Sequence, residues 1–151
     1  MRVVIQKVKE ASVTIEGKTV SEINEGLLVL VGIESNDSPE DIDYLVRKTA
    51  QLRIFDDENG VMNLSVKDMD GDVIVVSQFT LHANTKKGNR PSYIRAAKPD
   101  FSVPMYEKFV SAIEQTLGKK VGTGEFGAMM DVALVNDGPV TIIIDSKQKD
   151  F

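Results

Sequence analysis

The hydrophobic positions of this chain follow two spacings, one typical of strands and one typical of helices. β-Branched residues dominate positions 3–5 and 13–15, and Glu16-Gly17-Lys18 separates the second group from Thr19-Val20. This pattern predicts two early strands followed by a hairpin turn. The continuous apolar run at 27–33 predicts a strand that is buried on both faces.

Two helices are expected. In residues 38–41, Ser38 suits the N-cap, Pro39 suits the first helical position, and Asp41 stands where a capping-box acid reaches back. Apolar residues then recur on one face of the predicted helix. A second helix is predicted over 104–117, where an apolar stripe is followed by Gly118 as the stop signal.

The rest of the chain alternates β-prone and polar segments. Residues 53–55 predict a short strand, and 72–81 form the most β-prone segment. The polar stretch 82–99 exceeds the usual loop length, and loops this long are usually functional or disordered. Residues 131–135 and 140–145 predict two strands joined by a turn. We therefore expect one domain over residues 1–151, of the α+β class.

Composition excludes several kinds of site. The chain has no Cys and one His, which removes thiol nucleophiles, Cys-ligated metals and any site built from several histidines. The acidic residues at 56–57 and 68–72 lack EF-hand spacing and are interpreted as turn residues. The start of the chain does not resemble a signal peptide, and the apolar run 27–31 is too short to span a bilayer. These features predict a soluble, cytoplasmic protein without a membrane partner.

Charge is distributed unevenly along the chain. With 18 basic and 23 acidic residues the net charge is −5, which argues on average against a nucleic-acid partner. The 82–98 stretch departs from that average, because it has no acid and five basic residues: Lys86, Lys87, Arg90, Arg95 and Lys98. These side chains suit phosphate contacts, and Tyr93 suits stacking on a base. The alternative is a solvated surface loop.

Two segments are candidates for chemistry. Ser77, Gln78, Phe79 and Thr80 follow four apolar residues at a predicted strand end, where hydroxyls, an amide and backbone N–H groups can polarise a carbonyl. The alternative is a strand that simply leaves the core. A Thr80 nucleophile would need a base, and the only histidine, His82, would share its face if the strand continued. The segment 136–141, Asn-Asp-Gly-Pro-Val-Thr, has the composition of a turn.

Together these two segments resemble the two signature motifs of the D-aminoacyl-tRNA deacylase family, the D-tyrosyl-tRNA(Tyr) deacylases. The resemblance extends along the chain through 8–13, 26–30, 53–55, 62–63, 90–93 and 126–130. It implies a mixed, barrel-like sheet with two helices outside. It also implies a homodimeric tRNA-editing ester hydrolase that removes D-amino acids, and mischarged glycine, from tRNA.

The resemblance further implies roles for individual residues. Ser77, Gln78, Phe79 and Thr80 would surround the scissile ester, with backbone N–H groups as the oxyanion hole and the ribose 2′-hydroxyl helping to activate water. The residue pair Gly138-Pro139 would form a cis bond that reaches the partner subunit's site and excludes L-amino acids. The implied substrate-binding residues are Met130, Asn136 and Tyr93, and the tRNA-binding candidates are Lys86, Lys87, Arg90 and Arg95. No metal and no cofactor are expected.

Two other classes of function remain open from the sequence. One is a hydrolase of a small ester or amide that uses Thr80 or Ser77 as a nucleophile. The other is a non-catalytic RNA-binding module in which the basic loop matters and both motifs are only structural.

Overall fold

The first strand pairs with more strands than any other strand of the sheet. The structure, a computed structural model, describes residues 1–151. Its elements are β1 (Arg2–Ile15), β2 (Lys18–Ile23), β3 (Gly26–Gly32), α1 (Pro39–Gln51), β4 (Phe55–Asp56), β5 (Met62–Leu64), β6 (Asp72–Ser77), a 3₁₀ turn (Phe79–His82), α2 (Pro99–Leu117), β7 (Gly122–Thr123) and β8 (Asp131–Asp145). Strand β1 pairs antiparallel with β2 and β3 on one edge and with β8 on the other.

The main sheet is mixed and six-stranded. Its order is β2-β1-β3-β6-β7 with β8 added along β1, while β4 and β5 form a separate pair. Strands β3, β6 and β7 are mutually parallel, so β3 and β6 end at the same edge of the sheet. The expected α+β fold with a barrel-like sheet and two helices is confirmed.

Two apolar clusters lie on opposite faces of β3. Leu27, Val29 and Val31 belong to the larger cluster of 19 buried residues, which the helices cover, while Leu28 belongs to a cluster of seven inside the sheet. The prediction of a strand buried on both faces is therefore confirmed. Ser38 caps α1 with the expected capping box, in which the Asp41 carboxylate accepts from the Ser38 backbone N–H at 2.8 Å.

Several boundaries differ from the sequence predictions, and the short strand expected at 53–55 is instead Phe55–Asp56. Positions 3–5 and 13–15 lie in one strand, because β8 pairs along β1 from Arg2 to Thr14. Residues 136–139 are not a turn between strands but part of β8, where 137–140 bulge outward opposite Lys7 alone. Helix α2 begins at Pro99, and Pro104 lies inside it. Pro104 is tolerated because the carbonyl it leaves unpaired, four residues earlier, lies on an exposed residue.

Neither helix combines the length and apolar character needed to cross a lipid bilayer.

Candidate active site

The segment 77–80 lies where β6 leaves the sheet. Residues 73–76 of β6 are buried, and Ser77 ends the strand opposite Val31 of β3. The next backbone N–H, that of Gln78, donates to the Val31 carbonyl at 2.8 Å. The chain then winds into the 3₁₀ turn. The polar side chains therefore lie at a strand end, at the shared edge of two parallel strands.

The 3₁₀ turn leaves two backbone N–H groups unused. Its hydrogen bonds run from Leu81 N to Gln78 O at 3.2 Å and from Ala83 N to Thr80 O at 3.1 Å. The amides of Phe79 and Thr80 come first in the turn and donate to no backbone carbonyl outside it, as expected for the start of a helical segment. Two adjacent amides are thus available to an oxygen of a ligand.

A cavity of about 380 Å³ opens beside this turn. Its lining comes from the ends of β3 and β6, the 3₁₀ turn, the 93–98 stretch, the start of α2 and the loop before β8: Ile33, Ser77, Phe79, Tyr93, Ala96, Ala97, Lys98, Pro99, Ser102, Phe126 and Gly127. Phe79 and Tyr93 meet edge to face, with ring centroids 5.0 Å apart, yet 51% and 40% of their surfaces are exposed. The cavity therefore offers apolar and aromatic surface to a ligand.

The polar side chains at this turn do not form a nucleophile–base pair. Gln78 Nε2 donates to Thr80 Oγ1 at 2.5 Å. His82 is fully buried, and neither ring nitrogen has a hydrogen-bond partner. Burial lowers the pKa of His82, which keeps the imidazole neutral at physiological pH. The expectation that His82 shares a strand face with Thr80 is wrong, because the strand ends at Ser77 and the chain turns.

The second signature forms the outward bulge of β8. Gly138 and Pro139 are exposed, and their peptide bond is cis. Asn136 Nδ2 donates to the Lys7 carbonyl at 2.9 Å and to the Val140 carbonyl at 3.0 Å, so both amide hydrogens serve the base of the bulge. Within the chain, no hydrogen bond joins Gly138 or Pro139 to residues 77–80.

The remaining candidates are dispersed. Met130 packs against the smaller core cluster and does not line the cavity, whereas Tyr93 does. Arg95 makes an ion pair with Glu34 at 2.8 Å. The other tRNA-binding candidates, Lys86, Lys87 and Arg90, are exposed and make no ion pair.

Sequence reasoning missed most of the cavity lining. Ile33, Ala96 and Phe126 are apolar or small, and nothing in their spacing sets them apart from core residues. It also missed Glu34, because its partner Arg95 is 61 residues away and charge pattern alone does not show that pairing.

A family model for D-Tyr-tRNA(Tyr) deacylase matches residues 4–145. The chain belongs to this deacylase family. It is 65% identical over 150 residues to a D-aminoacyl-tRNA deacylase of Flavobacterium johnsoniae, an alignment that covers 99% of this chain and 100% of the relative. A D-aminoacyl-tRNA deacylase of Bacteroides thetaiotaomicron is 61% identical, with the same coverage. Deacylases are hydrolases, so the predicted enzyme class is confirmed.

Two solved structures share the fold of this chain. A structure described as a c-Myc DNA unwinding element binding protein superimposes with a TM-score of 0.92 at 38% identity, covering 96% of this chain and 98% of the other. A probable eukaryotic D-amino acid tRNA deacylase superimposes with a TM-score of 0.82 at 17% identity, covering 95% and 97%. At that identity the second likeness concerns the fold alone.

Proposed function

We propose that this deacylase hydrolyses the ester that joins a D-amino acid, or mischarged glycine, to the 3′ end of tRNA. The observation that carries the proposal is the pair of unused backbone amides at Phe79 and Thr80 beside the aromatic cavity. An ester carbonyl placed there becomes an oxyanion when water adds, and two fixed N–H donors stabilise that charge.

The chemical step needs positioning more than a side-chain base. Water adds to the ester carbonyl carbon, the bond to the ribose oxygen breaks, and the amino acid and a free ribose hydroxyl leave. The ribose 2′-hydroxyl helps to take the proton from water. Ser77 lines the cavity, and the bond from Gln78 orients the Thr80 hydroxyl, so both polar side chains hold the ester in place.

Selection against L-amino acids is assigned to Gly138 and Pro139 of a partner subunit. In the proposed dimer their carbonyl oxygens crowd the position of an L side chain, whereas a D side chain points away and glycine has none. The bulge suits this role because Asn136 and the ion pair of Lys7 with Asp137, at 3.7 Å, hold its base. The exposed tip is left free to reach another chain.

The outer face of β8 supports a homodimer. Val132 and Leu134 pack inward, while Val135 and Ile143 alternate outward with 44% and 46% of their surfaces exposed. These apolar side chains flank the bulge on both sides. A second copy that covers them also receives the Gly138-Pro139 tip.

The tRNA approaches along the basic stretch. Lys86, Lys87 and Arg90 are exposed and free of acidic partners, which suits contacts to phosphates near the 3′ end. Tyr93 and Phe79 offer their exposed rings to a base or to the amino-acid side chain. The cytoplasm, where tRNA is charged, is the proposed location.

The decisive experiment compares the deacylation of one tRNA charged with D-tyrosine, L-tyrosine or glycine. We expect rapid release of D-tyrosine and of glycine, with L-tyrosine released at the uncatalysed rate. Equal release of both enantiomers would overturn the chirality assignment. Tight tRNA binding without any deacylation would favour the RNA-binding module, and a covalent acyl-enzyme at Thr80 or Ser77 would favour the nucleophilic hydrolase.

A further inference from the structure

One wall of the cavity is a long arm, residues 83–97, whose far end is bonded to the residues that follow β3. Asn84 and Ser92 form an isolated bridge that closes the arm on itself. Ala96 bridges to Glu34, and Ala97 N donates to the Ile33 carbonyl at 2.9 Å. Tyr93 lies between these two fastenings. The position of its ring against Phe79 therefore depends on how firmly the arm is held.

The side chain of Glu34 binds this arm through Arg95. Its Oε1 accepts from Arg95 Nε at 2.9 Å and lies 2.8 Å from Arg95 Nη2, so one oxygen receives both donors. Only 8% of Glu34 is exposed, while Arg95 is half exposed. The Glu34 backbone N–H donates to Asp37 at 2.7 Å, and Asp37 in turn pairs with the Met1 ammonium. The Glu34 backbone is thus held in place by Asp37.

His82 faces the same oxygen from the interior. Its Nδ1 lies 3.7 Å from Glu34 Oε1, beyond hydrogen-bonding distance, and the ring has no other partner. His82 is also the last residue of the 3₁₀ turn that presents the Phe79 and Thr80 amides. The other charges near the ring are the Met1 ammonium and Arg2, both cationic. Arg2 Nη1 donates to the Leu81 carbonyl of the same turn at 2.9 Å.

We propose that Glu34 is a positioning residue of this site. Its Oε1 atom holds the arm in place by binding Arg95, a contact called the latch below. Protonated His82 competes with Arg95 for the same atom. The inference rests on the proposed function, since the latched arm is the wall against which the substrate binds. While His82 is neutral, Arg95 holds the oxygen and the wall is closed. When His82 gains a proton, the buried charge draws Oε1 toward the ring and loosens Arg95.

The pH dependence of the latch follows from the burial of His82. Burial lowers the pKa of His82 below its ordinary value, although the Gly32 backbone and then Glu34 oppose that shift. The latch is therefore closed at neutral pH and opens as pH falls through the lowered pKa. Opening should raise KM for the aminoacyl-tRNA, because it is the binding wall that moves.

The first test needs no substrate. The chain has one histidine, so the proton on its Cε1 gives one NMR signal that can be assigned without ambiguity and titrated. Arg95→Gln should raise the pKa of His82 by about half a unit or more, because Oε1 then faces the ring alone. Arg47→Gln, which removes an exposed arginine on α1, should leave it unchanged.

A double-mutant cycle distinguishes competition for Glu34 Oε1 from a direct effect of the Arg95 charge on the His82 titration. In a Glu34→Gln background, Arg95→Gln should leave the His82 titration where it is. An equal shift in both backgrounds would overturn the competition for Oε1. This outcome does not touch the proposed function, which stands or falls on deacylation by the wild-type protein.

The second test is kinetic. Arg95→Gln should raise KM for D-tyrosyl-tRNA about tenfold with little loss of kcat. Arg95→Lys should bring KM most of the way back to the wild-type value. Uncharged tRNA should bind Arg95→Gln as tightly as it binds the wild type. If instead Arg95→Gln weakens uncharged tRNA as much as Lys86→Gln does, Arg95 is a phosphate contact and the latch is refuted.

Discussion

Residue 80 allows the side chain and the backbone nitrogen to be tested separately. The Thr80 hydroxyl lacks a base, because the only histidine is fully buried and neither of its ring nitrogens makes a hydrogen bond. Thr80→Ala should therefore keep kcat/KM within about tenfold of wild type, a loss of at most about 1.4 kcal/mol. Thr80→Pro also removes the N–H donor and should cost a further factor of about 10²–10³ in kcat. Single-turnover deacylation of D-tyrosyl-tRNA measures both variants.

The proline variant has a favourable backbone context. Residue 80 is the second position of the 3₁₀ turn, where its N–H makes no backbone hydrogen bond, and proline is tolerated in the first turn of helical segments. Circular dichroism and thermal unfolding should match the alanine variant. If the alanine variant is as inactive as the proline variant while folded, the hydroxyl takes part in the chemistry and the backbone mechanism is wrong.

The end of β3 supports the 3₁₀ turn by direct contact. A Cβ added at Gly32 would lie 2.9 Å from the Leu81 Cβ and 3.0 Å from the His82 Cδ2. Gly32→Ala should therefore displace the turn, lowering deacylation by tenfold or more and stability by about 1–3 kcal/mol. Urea unfolding and kcat measured on the same sample give both quantities.

A second variant distinguishes displacement of the 3₁₀ turn from a general loss of stability. Ile113→Val trims a fully buried side chain of α2 and should cost about 0.5–1.5 kcal/mol without touching the turn. It should retain nearly full activity. Comparable losses of activity in Gly32→Ala and Ile113→Val would show that activity follows stability alone, against a specific role for this contact.

Elements with local signals could be predicted from the sequence, and those that depend on pairing could not. The capping box at Ser38 and the apolar run of β3 are local patterns, and both are present as expected. The bulge at 137–140 has turn composition, but its place inside β8 is set by the long pairing with β1. The Glu34–Arg95 pair links residues far apart in sequence, so no local pattern shows it.

At the scale of the whole molecule, two buried carboxylates hold the C-terminal segment in place, one by bonding it to α1 and one by bonding it to the start of β1. Asp41 accepts from Lys147 Nζ at 2.8 Å, and Asp145 accepts from Arg2 Nε at 2.9 Å. Burial alone would raise the pKa of each carboxyl. The hydrogen bonds outweigh burial, so both pKa values lie below the ordinary one. Their stabilisation is therefore present above about pH 4 and is lost as pH falls through the lowered values.

Urea unfolding at a series of pH values tests this linkage. The free energy of unfolding of the wild type should decline as pH falls below about 4. Asp145→Asn should be less stable than wild type at pH 7, and its free energy of unfolding should decline less as the pH is lowered. Parallel stability curves for the two proteins would refute the assignment.

Assembly is the largest scale at which the proposed site can be tested. The outward face of β8 carries Ile143, which is 46% exposed, on the strand that bears the Gly138-Pro139 bulge. Ile143→Lys places a charge where a second copy would pack and should shift the protein toward monomers in sedimentation velocity. The ratio of D-tyrosyl-tRNA to L-tyrosyl-tRNA hydrolysis should fall toward one, because a monomer lacks the carbonyls that we propose the partner supplies. Val20→Lys, at a 50% exposed apolar position on β2, should leave both properties unchanged. A monomeric Ile143→Lys protein that still discriminates fully between the enantiomers would show that one chain contains the complete filter.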